Sequence, residues 1–471
     1  MERWSSHFGF ILAAIGAAVG IGNIWRFSAV LGQNGGGAYL IPYFIAVMFF
    51  ALPLMILEIT MGRRFRGTVV SSFQEIRPGF RIIGWMICAI VFLILSYYLV
   101  ITGWTIAYTL FSATGDTVTF SGFTGSYLPV LFAVIAVLLT GIIVSAGVTK
   151  GIERISIMLI PVCIIILVIM ALYTATLPGF NDGIRFLLTP DYSVLLHADL
   201  WAAAFGQSFF SLAVGEGILL TYGSYMVKDQ NIPIAALIIT IADLFVALIA
   251  GAVIFPIVFS YGLSPTVGAE LAFTTLPIAF SLMPAGQFFA IAFFAALFFA
   301  ALTSAVSMLE VCVAAVDEAA GWTRRKTTMI LTGLLLLITL LPALSYSSAN
   351  LSVNGIPLLD VMDETVGTLG LHIAAILLAI VFTWFLSPDV FWSELGKATR
   401  LNRIIYFLCK YVIPAALLLT IGVQLLAGIK IPGTSFIPGT QYIGSLFRLE
   451  GVVLFILLIL FVSIIFGKLR R

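Results

Sequence analysis

Twelve windows of about 20 mostly apolar residues run along this 471-residue chain, and each is long enough to cross the hydrocarbon core of a bilayer as a helix. Within a few residues they cover 8–31, 38–61, 82–111, 127–146, 155–175, 200–226, 233–262, 287–316, 328–344, 365–386, 404–427 and 449–467. Inside lipid the backbone must satisfy its own hydrogen bonds, and segments of this length do so as helices. The sequence therefore predicts an all-α polytopic membrane protein of twelve transmembrane helices. At 61% apolar and 9% charged residues, the chain has too little polar surface to cover a water-soluble globule of this length, which excludes a cytosolic enzyme. A net charge of +2 supplies no basic field for nucleic acid. The first window begins at Phe8, is longer than a signal-peptide core and lacks a small-residue cleavage site, so it is expected to remain as the first span.

An even number of spans puts both termini on one side, and the cations say which. Nineteen of the twenty-three Lys and Arg, including Arg63, Arg64, Arg66, Arg77, Arg81, Lys150, Arg154, Arg324, Arg325, Lys326, Arg400 and Arg403, fall on the side of the termini. Only Arg26, Arg185, Lys430 and Arg448 fall opposite. The positive-inside rule then places both termini in the cytoplasm of a multi-pass protein of the plasma membrane. No soluble domain fits between spans. The longer outward connections are 176–199 and 263–286, and the second, punctuated by Pro265, Pro277 and Pro284, is expected to fold over the outer mouth as a lid.

Two spans carry interruptions that a lipid-facing helix would avoid. The first holds Gly16, Gly20, Gly22 and Asn23, followed by Arg26; the sixth holds Gly206, Gly215, Glu216 and Gly217. A small-xxx-small pair such as Gly16 and Gly20 is more often a helix-packing seam than a break. Polar and ionisable residues beside both clusters shift the balance, because such groups are costly in a membrane and irregular backbone persists there only around a cavity. Breaks in spans one and six occupy corresponding positions if residues 1–175 and 200–386 form two five-helix inverted repeats, with two additional spans in 404–467. That arrangement puts a binding site at the midplane.

Other chemistries find no support. Cys88, Cys163, Cys312 and Cys409 lie singly in apolar runs and read as small core residues. His7, His197 and His372 are scattered, and no catalytic triad or metal-ligand spacing accompanies them, so no enzyme is expected. A channel would want repeated rings of polar residues, and none recurs with that regularity.

The run Gly20-Ile21-Gly22-Asn23-Ile24-Trp25-Arg26-Phe27, followed by Asn34-Gly35-Gly36-Gly37-Ala38-Tyr39-Leu40-Ile41-Pro42-Tyr43, closely resembles the signature of the neurotransmitter:sodium symporters, above all their prokaryotic amino-acid branch. Further similarity runs through Tyr97-Tyr98, Gln207 to Leu212, Thr221 to Tyr225 and Ala301 to Ser304, and covers about the first ten spans. The resemblance implies a sodium-coupled symporter of a small amino acid, with an amine or other small solute as the alternative substrate, working by alternating access. In a break of span one, freed N–H groups near Gly20 and Gly22 at a positive helix end suit a carboxylate, and freed carbonyls near Ala18 suit an ammonium. By the same resemblance, Tyr98 also binds the substrate carboxylate and Phe210 closes over it, although a tyrosine in a span is otherwise an interfacial or packed residue.

Sodium is a hard cation and wants oxygen ligands. The resemblance implies a first sodium held by the Ala18 carbonyl, Asn23, Ser211, an acid from span seven and the substrate carboxylate. That acid is Asp243 if the register holds, with Ala242 the competing position. A second sodium would use the carbonyls of Gly16, Val19 and Ala300 and the hydroxyls of Thr303 and Ser304, two residues that in isolation would be read as bonding back to their own helix. An Asp243 charge beside the first sodium implies that chloride is not required. Gly20, where monoamine transporters of the family carry an aspartate, favours an α-amino acid over a decarboxylated amine.

The outer gate implied is Arg26 with Asp363, Glu364 being the neighbouring alternative. Glu58 resembles a residue that steadies the broken sixth helix, and Gly151 with Pro161 matches a spacing that lets span five unwind. A proline in a span otherwise means a kink. The chain departs from the family in two places. Only Arg3 precedes Trp4 as a candidate for the inner gate, with Glu318 or Asp317 as its partner. Glu216 stands where relatives carry a neutral residue at the side-chain end of the pocket, beside Ile94, Ala213, Ser304 and Met308. Its carboxylate either points into that pocket or caps freed N–H groups of the break, and the residues alone weigh these equally.

Overall fold

The computed structural model describes residues 2–116, 118–227, 230–265, 271–396 and 398–428. The first eleven apolar windows each coincide there with a helix or a broken helix; the twelfth, 449–467, lies outside the described residues. Span one is the pair His7–Ala18 and Gly22–Gln33, bent by 52° at the break. Spans two to five are Gly37–Phe65, Pro78–Thr114, Leu128–Ser145 and Val148–Thr174. Span six is Ala198–Ser211 and Ile218–Ser224, separated by irregular backbone. Spans seven to eleven are Ile232–Ser260, Gly286–Ala320, Arg324–Ser345, Leu358–Trp384 and Arg400–Gly422. Among the described residues the expectation of an all-α chain holds apart from an antiparallel pair, Ser352–Val353 with Ile356–Pro357, closed at Asn354-Gly355, and an isolated bridge between Gly36 and Pro190.

Spans three and eight form the backbone of the bundle. Every residue from Ile87 to Val100 is buried, and so is nearly every one from Phe293 to Val313, so these helices are apolar all round because they meet protein on all sides. Spans four, five, seven and nine have one face buried and one exposed apolar face, as helices at a lipid boundary should: Ile142, Met158, Ile241 and Leu337 all point outward. Spans two and six approach backbone to backbone. A Cβ on Gly62 would lie 2.0 Å from the Leu220 carbonyl oxygen and one on Gly223 2.6 Å from that of Ile59, so both positions demand glycine.

The connection 176–199 carries a helix that hydropathy windows do not reveal, Phe180–Leu188, whose Phe186 ring packs on Phe255 and Phe259 of span seven. From 263–286, the described part forms helix Leu271–Leu282. Its Phe273 ring sits 6.0 Å from Trp25, 5.5 Å from Trp104 and 5.3 Å from Tyr108. The segment therefore packs over the end of spans one and three that carries Arg26.

Candidate functional site

The break in span one begins at Val19, whose extended backbone (φ −74°, ψ 100°) ends the first half-helix. Two freed donors find partners at once: Gly20 N–H donates to Asn23 Oδ1 at 3.0 Å and Ile21 N–H to the Tyr98 hydroxyl at 3.2 Å. A Cβ at residue 20 would come within 2.7 Å of both the Tyr98 hydroxyl and Ser304 Oγ, so a side chain here would have to displace those two groups. In span six the irregular stretch turns through left-handed backbone at Ala213 (φ 51°), Gly215 (φ 90°) and Gly217 (φ 70°). The alanine is strained there by about 1–3 kcal/mol. Glu58, fully buried on span two, accepts the Gly215 N–H at 2.6 Å and so fastens this break.

Three polar side chains from different spans meet between the breaks. Asn23 Nδ2 donates to Ser211 Oγ at 2.9 Å and to Asp243 Oδ1 at 2.5 Å, and Ser211 Oγ lies 3.0 Å from both Asp243 oxygens. Tyr43 of span two reaches Ser211 at 3.4 Å. All three members of the cluster are buried, with the buried Ala18 at the last turn before the break. The register of span seven thus brings Asp243 inward, while Ala242 is only half-buried.

A second cluster lies where span eight crosses the first half of span one. Ser304 Oγ stands 3.2 Å from the Gly16 carbonyl oxygen, 3.1 Å from Ala17, 3.5 Å from Val19 and 3.3 Å from Ala300. Thr303 Oγ1 is 3.0 Å from the Ala300 oxygen. One hydroxyl donates one hydrogen, so the carbonyl oxygens here outnumber the donors. Such an oxygen-rich shell suits a hard cation.

Gly22 lies in the break of span one, Ala213 in that of span six, and Tyr98, Phe210 and Ser211 reach the span-one break or its polar cluster. The Phe210 ring lies against Gly22, with the Arg26 guanidinium 4.6 Å above its centroid, and Gln207 Nε2 donates to the Gly22 carbonyl at 2.8 Å. Arg26 meets Asp363 at 4.0 Å; Glu364 makes no ion pair with it within that distance. Ile94 and Met308 are buried on spans three and eight. Glu216 is 1% exposed and neither of its oxygens has a hydrogen-bond partner, so the capping role is not what the structure gives it. One of the freed donors of this break, Gly215 N–H, belongs to Glu58 instead.

At the opposite end the expected partners separate. Glu318 does not face Arg3: it accepts from Thr68 N–H at 3.3 Å and Ser71 Oγ at 3.0 Å, because it points toward the connection between spans two and three. Asp317 accepts from Thr327 at 3.0 Å, and the Arg3 side chain is exposed. Ion pairs at this end join Arg63 to Glu394 at 3.0 Å and Arg324 to the fully buried Glu310, to which Tyr225 also donates at 2.8 Å, with Glu2 at 3.9 Å from Arg324. Trp4 donates to the Tyr222 carbonyl at 3.0 Å, and Ser5 N–H donates at 3.0 Å to Glu153, which follows Gly151 in the π-helical turn Val148–Glu153. Pro161 lies further along within the same span.

Gln207, Glu310 and Glu153 were not singled out by the sequence reading. Glu310 carried the same signal as Asp243, a single acid in an apolar run; Gln207 lay inside the motif quoted for its neighbours.

The profile of the sodium:neurotransmitter symporter family matches residues 1–122 and 123–464. An uncharacterized sodium-dependent transporter of Bacillus subtilis, YhdH, is 33% identical over 438 residues, covering 88% of this chain and 96% of that one. The sodium-dependent serotonin transporter of Drosophila melanogaster is 28% identical, over 91% of this chain and 77% of its own. The crystal structure of MhsT in complex with L-phenylalanine aligns with a TM-score of 0.84 at 36% identity, covering 89% of this chain and 99% of that one. The chain belongs to the sodium:neurotransmitter symporter family. It is a multi-pass, sodium-dependent membrane transporter and not an enzyme.

Proposed function

We propose that this family member is a sodium-coupled symporter that takes up a small α-amino acid, with two sodium ions and no requirement for chloride. The observation that carries the reading is the meeting of Asn23, Ser211 and Asp243 beside the break of span one. The first sodium binds there with the Ala18 carbonyl and the substrate carboxylate, and Asp243 supplies the negative charge that an anion would otherwise provide. The second sodium binds within the oxygen shell of Gly16, Val19, Ala300, Thr303 and Ser304. The substrate carboxylate lies on the positive end at Gly22 and on the Tyr98 hydroxyl, and its ammonium lies on the carbonyls near Ala18. Phe210, with Arg26 above it and Asp363 beside Arg26, closes the site from one side.

Substrate access alternates as the broken spans rock within two inverted repeats, 1–175 and 200–386, with both termini in the cytoplasm beneath the plasma membrane. MhsT, crystallised with L-phenylalanine, supports an amino acid as the substrate class. The likeness to a serotonin transporter supports the second reading, an amine substrate. The neutral Gly20 weighs against it, because an amine brings no carboxylate and residue 20 offers no acid to stand in for it beside the first sodium. Uptake into proteoliposomes is the test: saturable amino-acid accumulation that needs a sodium gradient is expected. Uptake independent of sodium, or of amines alone, would overturn the reading.

A further inference from the structure

Glu216 is the buried acid that the sodium clusters, the gate and the helix packing leave unused. It stands in the irregular stretch of span six at 1% exposure with both oxygens unpartnered. Several backbone donors around it have other acceptors: Ala213 N–H donates to the Phe210 carbonyl, Val214 N–H to Phe209, Gly215 N–H to Glu58 and Thr221 N–H to Gly217, and none of the described N–H groups donates to Glu216. The titratable groups within electrostatic reach are Glu58, Tyr97 and Tyr98, a second carboxyl and two phenols with no cation among them. Tyr98 carries its hydroxyl to Ile21 at the break of span one, and Glu216, in the break of span six, stands within electrostatic reach of Tyr98. A carboxylate buried without a partner costs several kcal/mol, and nothing in the described protein offsets that cost.

We infer that Glu216 selects the substrate: the pocket takes α-amino acids whose side chain ends in a protonated amine or guanidinium, and Glu216 receives that cation. The inference rests on the amino-acid reading above. The α-carboxylate and α-ammonium occupy the break of span one, the stem runs along the apolar Ile94 and Met308, and the charged end meets Glu216. The partner missing from the protein arrives with the substrate, so the buried carboxylate discriminates against side chains that leave it bare.

Binding of L-lysine and L-norleucine, which share one hydrocarbon stem and differ by the ammonium, tests this on the purified full-length protein with and without sodium. The wild type is expected to prefer lysine by about tenfold to a hundredfold, the range of a hydrogen bond to a charged group. E216Q should lose or reverse that preference while still binding norleucine with sodium. Norleucine binding as tightly as lysine in the wild type, or an unchanged ratio in E216Q, would overturn the inference. The wild-type ratio decides the matter if E216Q does not fold. Sodium-dependent binding of L-alanine is the separate control: its presence without a lysine preference sinks this inference alone, and its absence together with that of every other amino acid sinks the transport reading.

Discussion

Asn23 serves the break and the first cluster with one amide. Its oxygen accepts Gly20 N–H and its nitrogen donates to Ser211 and Asp243, so the side chain ties the break of span one to spans six and seven. Oxygen and nitrogen of an amide are assigned from the surrounding network. On the sodium reading proposed above, the amide would turn its oxygen toward an ion bound beside Asp243. Removing it leaves the ion one ligand short in a dry site, so Asn23→Ala is predicted to weaken sodium activation of uptake by about tenfold or more. Thr303→Ala is predicted to do the same through the second cluster. Uptake titrated with sodium checks both, and wild-type sodium affinity in the two variants would refute the assigned ligands. Asp243 sets the charge balance: uptake is predicted to survive replacement of chloride by gluconate, and Asp243→Asn to lose activity or acquire chloride sensitivity. Wild-type transport that fails in gluconate would contradict the charge argument.

Neither break is held by its own span's hydrogen bonds alone; a neighbouring span supplies a further partner. Tyr98 of span three serves Ile21, and Glu58 of span two serves Gly215. Glu58→Leu leaves a buried N–H without an acceptor, a loss of about 1–3 kcal/mol that should appear as a lower melting temperature in detergent. Glu58→Gln keeps an oxygen acceptor and should recover part of it; equal melting of wild type and Glu58→Leu would remove the staple. The breaks themselves were legible, because glycine clusters beside Asn23 and Glu216 have few other uses in lipid. Their fastening was legible in part: Glu58 came from the family resemblance, while apolarity and spacing left Glu216 free to be read as the cap. The gate at the end with Trp4 was misplaced for a physical reason. Glu318 and Asp317 follow the apolar part of span eight and look available, yet Thr68, Ser71 and Thr327 already occupy them. The buried partner, Glu310, takes its cation from Arg324 on the next span, a pairing set by how spans eight and nine pack and invisible to hydropathy. Helix Phe180–Leu188 escaped because its apolar face is one turn wide and averages out in a window of about 20 residues.

Across the whole molecule the two oxygen clusters are coupled because both are built on one break. Asn23 belongs to the first cluster, Gly16 and Val19 to the second, and the chain between them has lost the helical bonds that would hold it rigid. On the proposed reading, a sodium ion on either side would order that stretch and with it the N–H groups and carbonyls offered to the substrate. The substrate carboxylate, as a ligand of the first ion, would return the effect. Linkage then requires reciprocity: the factor by which saturating sodium tightens substrate binding must equal the factor by which saturating substrate tightens sodium binding. Allosteric couplings typically amount to about 5–150-fold, and a shared ligand places this one toward the upper part of that range. The prediction is checked by titrating substrate at low and saturating sodium and sodium at low and saturating substrate, on the same purified protein. Asn23→Ala should reduce both factors together, because it uncouples the first ion from the break. Substrate affinity that is flat in sodium, with both ligands nevertheless bound, would separate the clusters and refute a common hinge at residues 18–23.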